Sequence, residues 1–268
     1  MQQQKIENKS LVIQGLNVFY RTCGDPKNHL LVFLNGWGAR TGGPFLSSKN
    51  VIQAFANQGF YVVSPEHPGL MRSDPPQSLW GPEKYVEYIE EFRKKLGLEK
   101  FILVGQSFGG AIVTLYAAYY PAQVSALVLI SAGLSKDLSY RFVFDRFVFM
   151  SRFLILFDAK WIPKFFKQLL IWAALGVPYD SLKNAPIEHY RIMGEIFKSW
   201  SLPNVYSQIK AKTLLIWGIG DTLFPLSSAK KVATLIPNAK LISIRGGHSF
   251  LYIRPHKTAK LIASAVKT

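Results

Sequence analysis

Cysteine is almost absent from the chain. Its one cysteine, Cys23, leaves no partner for an internal disulfide, so the cross-linked frameworks of small secreted domains are excluded. Cys23 sits in YRTCGDP, a strand end entering a turn with no histidine beside it, and reads as structural. Long apolar runs are missing too. The longest, LLIWAALGV from Leu169 to Val177, falls far short of the ~20 residues that span a bilayer. The first residues, MQQQKIENKSLVIQG, lack the apolar centre of a secretion signal, and the expectation is a cytoplasmic protein. No His, Cys and acid cluster has metal-ligand spacing, so neither metal nor cofactor is expected. Acids are scarce: 16 Asp and Glu stand against 32 Lys and Arg, for a net charge of +16. The imbalance peaks in residues 201–268, where ten basic residues face a single acid, Asp221. No RNA-binding signature or zinc finger accompanies the basic residues. They are expected to form a solvated surface with no nucleic-acid partner, leaving open a weak association with anionic membrane.

Hydrophobic residues make up 49% of the sequence, ample for a large core, and their arrangement alternates. SLVIQG and NVFYRTC read as an early hairpin. LLVFLNG, FYVVSPE, KFILVG and SALVLIS read as strands. Between them KNVIQAFANQG, GPEKYVEYIEEFRKKLG and SFGGAIVTLYAAYYP carry helical spacing, with Gly59, Gly97 and Pro121 as stops. The alternation breaks after AGLSKD and resumes with KTLLIWG, PLSSAKKVATLIP, AKLISIRG and RPHKTAKLIASAVK. Strands alternating with helices predict an α/β protein with a mostly parallel central sheet and helices on both faces. The expected division is a core of residues 1–134 and 206–268 with a helical cap, 135–205, inserted between.

In such sheets ligands bind beyond the carboxyl ends of the strands. Three of those ends carry Gly105-Gln106-Ser107-Phe108-Gly109, Gly218-Ile219-Gly220-Asp221 and Arg245-Gly246-Gly247-His248. A serine hydroxyl becomes a useful nucleophile when a base takes its proton, and the base works best when an acid orients it. Ser107, Asp221 and His248 are therefore the candidate nucleophile, orienting acid and base. Gly105 and Gly109 leave room for a tight strand-to-helix turn that holds Ser107 above the sheet. The other histidines, His29, His67 and His256, read as structural, and His189 lies in the inserted block.

These pieces, in this order, resemble the α/β-hydrolase superfamily, and specifically its cap-bearing, esterase-like branch. GQSFGG is similar to its nucleophile motif, WGIGDTLFP to the segment carrying its acid, and GGHSF to the segment carrying its histidine. EHPGLMRSDPP is similar to the loop after the strand preceding the nucleophile strand. The chain departs from the pattern at Asn35, where the family often has histidine, at Glu66, where it has aspartate, and at Met71, where it has glycine. The resemblance implies an oxyanion hole made by the backbone N–H groups of Trp37 and Phe108.

The inserted block is aromatic: eleven Phe, Tyr and Trp residues lie between Tyr140 and Trp172, with Lys160, Lys164 and Lys167 at helical spacing. A wall over an apolar pocket is the expected role; membrane contact and dimer contact are the other readings. Taken together, a monomeric or dimeric serine hydrolase is expected, cleaving a small carboxylic ester with an apolar acyl or alcohol group. Hydrolysis of a carbon–carbon bond, thioester or lactone by the same residues is the near alternative. A non-catalytic receptor on the same fold is the more distant one.

Overall fold

A computed structural model of the chain describes residues 4–36, 48–68, 72–78, 80–133, 163, 165–166 and 205–267. The cap expected over 135–205 lies outside them, apart from Pro163, Phe165, Phe166 and Val205.

The described strands are β1 (Glu7–Ile13), β2 (Leu16–Cys23), β3 (His29–Leu34), β4 (Phe60–Pro65), β5 (Phe101–Gln106), β6 (Val124–Ile130), β7 (Lys212–Gly218) and β8 (Ala239–Ile244). They form one sheet in the order β1-β2-β4-β3-β5-β6-β7-β8. The first two are antiparallel to their neighbours, and every pair from β4 to β8 is parallel. The expected hairpin is β1–β2. Ile13 pairs with Leu16 across a two-residue turn, and Gln14 and Gly15 both have positive φ (51° and 78°), as a hairpin turn matched to strand twist requires.

The α-helices among the described residues are α1 (Ser48–Ala56), α2 (Pro82–Lys95), α3 (Phe108–Tyr119), α4 (Leu226–Leu235), α5 (Phe250–Ile253) and α6 (Pro255–Val266). In α2 the local signals agree with one another. Pro82 stands in the first turn, where its missing N–H costs nothing. Glu83 is near the positive end and Arg93, Lys94 and Lys95 near the negative end. Gly97 takes φ 62° just beyond. The one-turn helix α5 is not expected from the periodicity; Phe250, Leu251 and Tyr252 are buried in it.

Parallel strands covered on both faces read as unbroken apolar runs, and β5 is buried at every position. Its side chains alternate between two cores. Leu103 packs with Leu34, Tyr88, Phe92, Ile112 and Trp217 on the side of α2, α3 and α4. Ile102 and Val104 pack with Phe33, Phe55, Phe60 and Ile262 on the side of α1 and α6. Each such side chain contributes about 1.5–3 kcal/mol when fully buried, so the sheet is a rigid platform for whatever its strand ends carry.

Candidate active site

Ser107 occupies the step from β5 to α3 with φ 52° and ψ −120°, a region that costs a non-glycine residue about 1–3 kcal/mol. Its surroundings hold it there. The Ser107 N–H donates to Ile130 O at 3.1 Å, and Ser107 O accepts from the N–H groups of Gly133 (2.6 Å) and Ala111 (3.2 Å). The flanking glycines are needed for close approach. A Cβ on Gly105 would strike Gly109 O and Gly110 Cα, and one on Gly109 would strike the carbonyl oxygens of Leu34 and Asn35.

The loops after β7 and β8 meet backbone to backbone. The Gly220 N–H donates to Gly246 O at 2.9 Å, and Gly218 faces the same carbonyl with no room for a side chain. This contact brings Asp221 and His248 together. Asp221 Oδ1 accepts the N–H groups of Leu223 (3.0 Å) and Phe224 (2.9 Å), and the indole N–H of Trp217 holds Phe224 O at 2.6 Å. The second carboxylate oxygen, Oδ2, lies 3.0 Å from His248 Nδ1, and His248 Nε2 lies 3.0 Å from Ser107 Oγ. The ring of Phe224 flanks the imidazole, 5.5 Å between centroids. Burial opposes the charge of Asp221, but the charge of and hydrogen bond from His248 outweigh it and hold the carboxyl below its usual range.

The three residues expected from the strand ends thus lie in one line, hydroxyl to imidazole to carboxylate. The Asp221 side chain is fully buried, while Ser107 is only partly covered. Of the expected oxyanion donors, Phe108 opens α3 directly after Ser107; Trp37 lies outside the described residues. The Phe108 side chain is buried against His67 and Tyr85, so it belongs to the core and does not line a pocket. Asn35, in place of the family's histidine, donates from Nδ2 to Ser64 Oγ at 3.2 Å, and its carbonyl lies 2.8 Å from His67 Nε2. Among the described residues no three His, Cys, Asp or Glu side chains converge as metal ligands would.

A second polar cluster lies after β4. Glu66, buried, receives Arg21 at 3.0 Å and Arg72 at 2.8 Å on Oε1, and the Arg72 N–H on Oε2 at 3.0 Å. Its carbonyl accepts Ser73 Oγ and Tyr88 Oη. The neighbouring His67 is buried, and loss of water pushes its pKa down to about 4, with the Asn35 carbonyl opposing.

The family model for the α/β-hydrolase fold matches residues 29–255. The chain belongs to the α/β-hydrolase family. It is 32% identical over 220 residues to the monoacylglycerol lipase ABHD6 of Homo sapiens, across 75% of this chain; it spans 65% of that lipase's length. It is 27% identical over 255 residues to the 2-hydroxy-6-oxononadienedioate/2-hydroxy-6-oxononatrienedioate hydrolase of Comamonas testosteroni, covering 88% of this chain and 87% of that enzyme. Among solved structures, the enol-lactonase from Burkholderia xenovorans superposes with a TM-score of 0.78 at 17% identity, over 97% of this chain and all of that one. The expected fold class is therefore the observed one. No helix among the described residues is long and apolar enough to cross a membrane.

Sequence reasoning passed over one contact in this site. Gln106, directly before the serine, meets both His248 and Tyr252. The only signals in the sequence are a glutamine beside Ser107 and a tyrosine four residues after His248.

Proposed function

We propose that the chain is a serine hydrolase that cleaves a carboxylic ester with an apolar acyl or alcohol group through an acyl-enzyme at Ser107. The observation that carries this reading is the unbroken line from Ser107 Oγ through His248 to Asp221, with 3.0 Å at each link. His248 Nε2 takes the hydroxyl proton as Oγ attacks the ester carbonyl. Asp221, on Nδ1, fixes the ring's tautomer and stabilises the imidazolium. The backbone N–H groups of Trp37 and Phe108 bind the oxyanion, each typically worth a few kcal/mol in the transition state. His248 then returns its proton to the departing alkoxide. Water, deprotonated by the same nitrogen, releases the acid and restores Ser107. Residues 135–205 form the cap that encloses the substrate. Their place in the sequence supports this: Gly133, just before the block, donates its N–H to the carbonyl of Ser107.

A second reading has an observation of its own. The Comamonas oxo-dienedioate hydrolase aligns over most of both chains, whereas the lipase aligns over about two thirds of its own length, which favours hydrolysis of a carbon–carbon bond beside a ketone by the same residues. Turnover of p-nitrophenyl esters against that of a vinylogous diketone acid separates the two. For the nucleophile itself, a fluorophosphonate should label the wild type at Ser107, and Ser107→Ala should lose both label and turnover. Labelling at another residue, or undiminished hydrolysis by the variant, would overturn the assignment.

A further inference from the structure

Gln106 ends β5 and is buried at 3% exposure, yet the chemistry proposed above does not use it. Tyr252 Oη donates to its Oε1 at 3.1 Å. Its Nε2 faces His248 Nε2 at 3.5 Å. The amide also packs close to Gly36, where a Cβ would collide with Oε1. Beyond it lies the phenol of Tyr252, which burial keeps protonated.

The Tyr252 bond decides which end of the amide faces the histidine. The phenol's single proton then needs an acceptor, and of the two ends of the amide only Oε1 can serve. That leaves the N–H end directed at the imidazole. At 3.5 Å the approach is at the outer limit of hydrogen bonding, so it biases the ring electrostatically and leaves the Nε2 lone pair to the Ser107 hydroxyl. An N–H dipole aimed at that lone pair favours the neutral ring, the state that can take a proton. Among the described residues, the titratable groups at the ring are the Asp221 carboxylate, the Ser107 hydroxyl and, one amide away, the Tyr252 phenol.

We propose that Tyr252 and Gln106 are positioning residues that hold His248 as a neutral base aimed at Ser107. This rests on the serine-hydrolase reading and goes beyond the three residues that reading names.

The test is the pH profile of kcat/KM on a p-nitrophenyl ester for wild type, Tyr252→Phe and Gln106→Glu, with fluorophosphonate labelling alongside. Tyr252→Phe removes one oxygen and frees the amide to turn. Its acid limb should move up by about half a pH unit, so that kcat/KM falls by up to about threefold on that limb and is mostly regained on the alkaline plateau. Gln106→Glu keeps the shape but sets a carboxylate against the ring, and its limb should move up further. A purely structural role would lower activity equally at every pH and leave the limb in place. If both variants keep the wild-type limb, the proposal is wrong; Gln106→Glu alone decides should Tyr252→Phe not fold. Failure of the underlying reading looks different: the wild type itself would then not be labelled at Ser107.

Discussion

Two buried polar clusters sit at different strand ends of this sheet, and they differ in where their hydrogen bonds lead. Around Glu66 the bonds close on themselves. Both carboxylate oxygens are taken, Arg21 goes on to Ser48, and Arg72 goes on to Asn8 and stacks over Phe19. Around His248 the bonds run in one direction, from the backbone amides at Asp221 through the imidazole to a hydroxyl that is not fully covered. The first arrangement joins β2 to the loop after β4. The second leaves one hydroxyl at its end without full cover, which is the proposed nucleophile. Burial and charge are common to both, so neither property sets the proposed site apart; its open end does.

Substitutions in the two clusters should therefore fail in different ways. The largest expected effect is on turnover. Asp221→Asn keeps the shape but spoils the tautomer, and kcat should drop by about 10⁴-fold with KM little changed, by analogy with the same change in serine proteases. Steady-state kinetics on a soluble ester decide it, and survival within a few-fold would make the two clusters equivalent. Next comes Glu66→Ala. It leaves Arg21, with only 7% of its side chain exposed, without its carboxylate, and should cost about 3 kcal/mol of stability. Urea unfolding measures the loss, and the kcat of the folded fraction should stay within a few-fold of wild type. The smallest effect sharpens the contrast by pH. His67 is buried and neutral with its pKa pushed down to about 4, against 6.5 for the free side chain. Between those values the unfolded chain binds a proton that the folded chain refuses, so stability should fall as the pH drops from about 6.5 to 4, by about 2–3 kcal/mol. Urea midpoints at pH 7 and 4.5 should differ by less in His67→Gln than in wild type. An equal difference would place the acid sensitivity elsewhere.

The fold was legible because its signals are local. β5 and β7 are apolar runs of the right length, Gln14-Gly15 is a two-residue hairpin turn, and α2 announces both ends by Pro82 and Gly97. Ser107, Asp221 and His248 were legible for a different reason: each follows a recognisable strand, and the topology brings those ends side by side. What pattern reading cannot reach is pairing between distant, individually ordinary residues. Arg21 meets Glu66 only because β2 runs antiparallel to β4, opposing Arg21 to Ser64. Gln106 meets Tyr252 across 146 positions, from a motif slot that tolerates many residues to a one-turn helix too short for periodicity to show. The side chain of Phe108 turned inward for the same reason, since its neighbours His67 and Tyr85 come from other parts of the chain.

The pairing of β6 with β7 has a consequence for how such a protein can change over generations. These strands are direct neighbours in the sheet, yet 81 residues separate the end of one from the start of the other. Whatever sequence fills that interval leaves and rejoins the platform at two fixed points, and strand order does not depend on it. The ends of the interval are held: Gly133 bonds the Ser107 carbonyl, and Tyr206, Ile209 and Ala211 are buried in the core, so the freedom to insert, delete or replace belongs to the stretch between those anchors. Selection can thus rewrite that stretch without renegotiating the rest of the molecule, so that drift in one part is insulated from drift in the other. Grafting the corresponding stretch from a relative is the laboratory form of the same freedom.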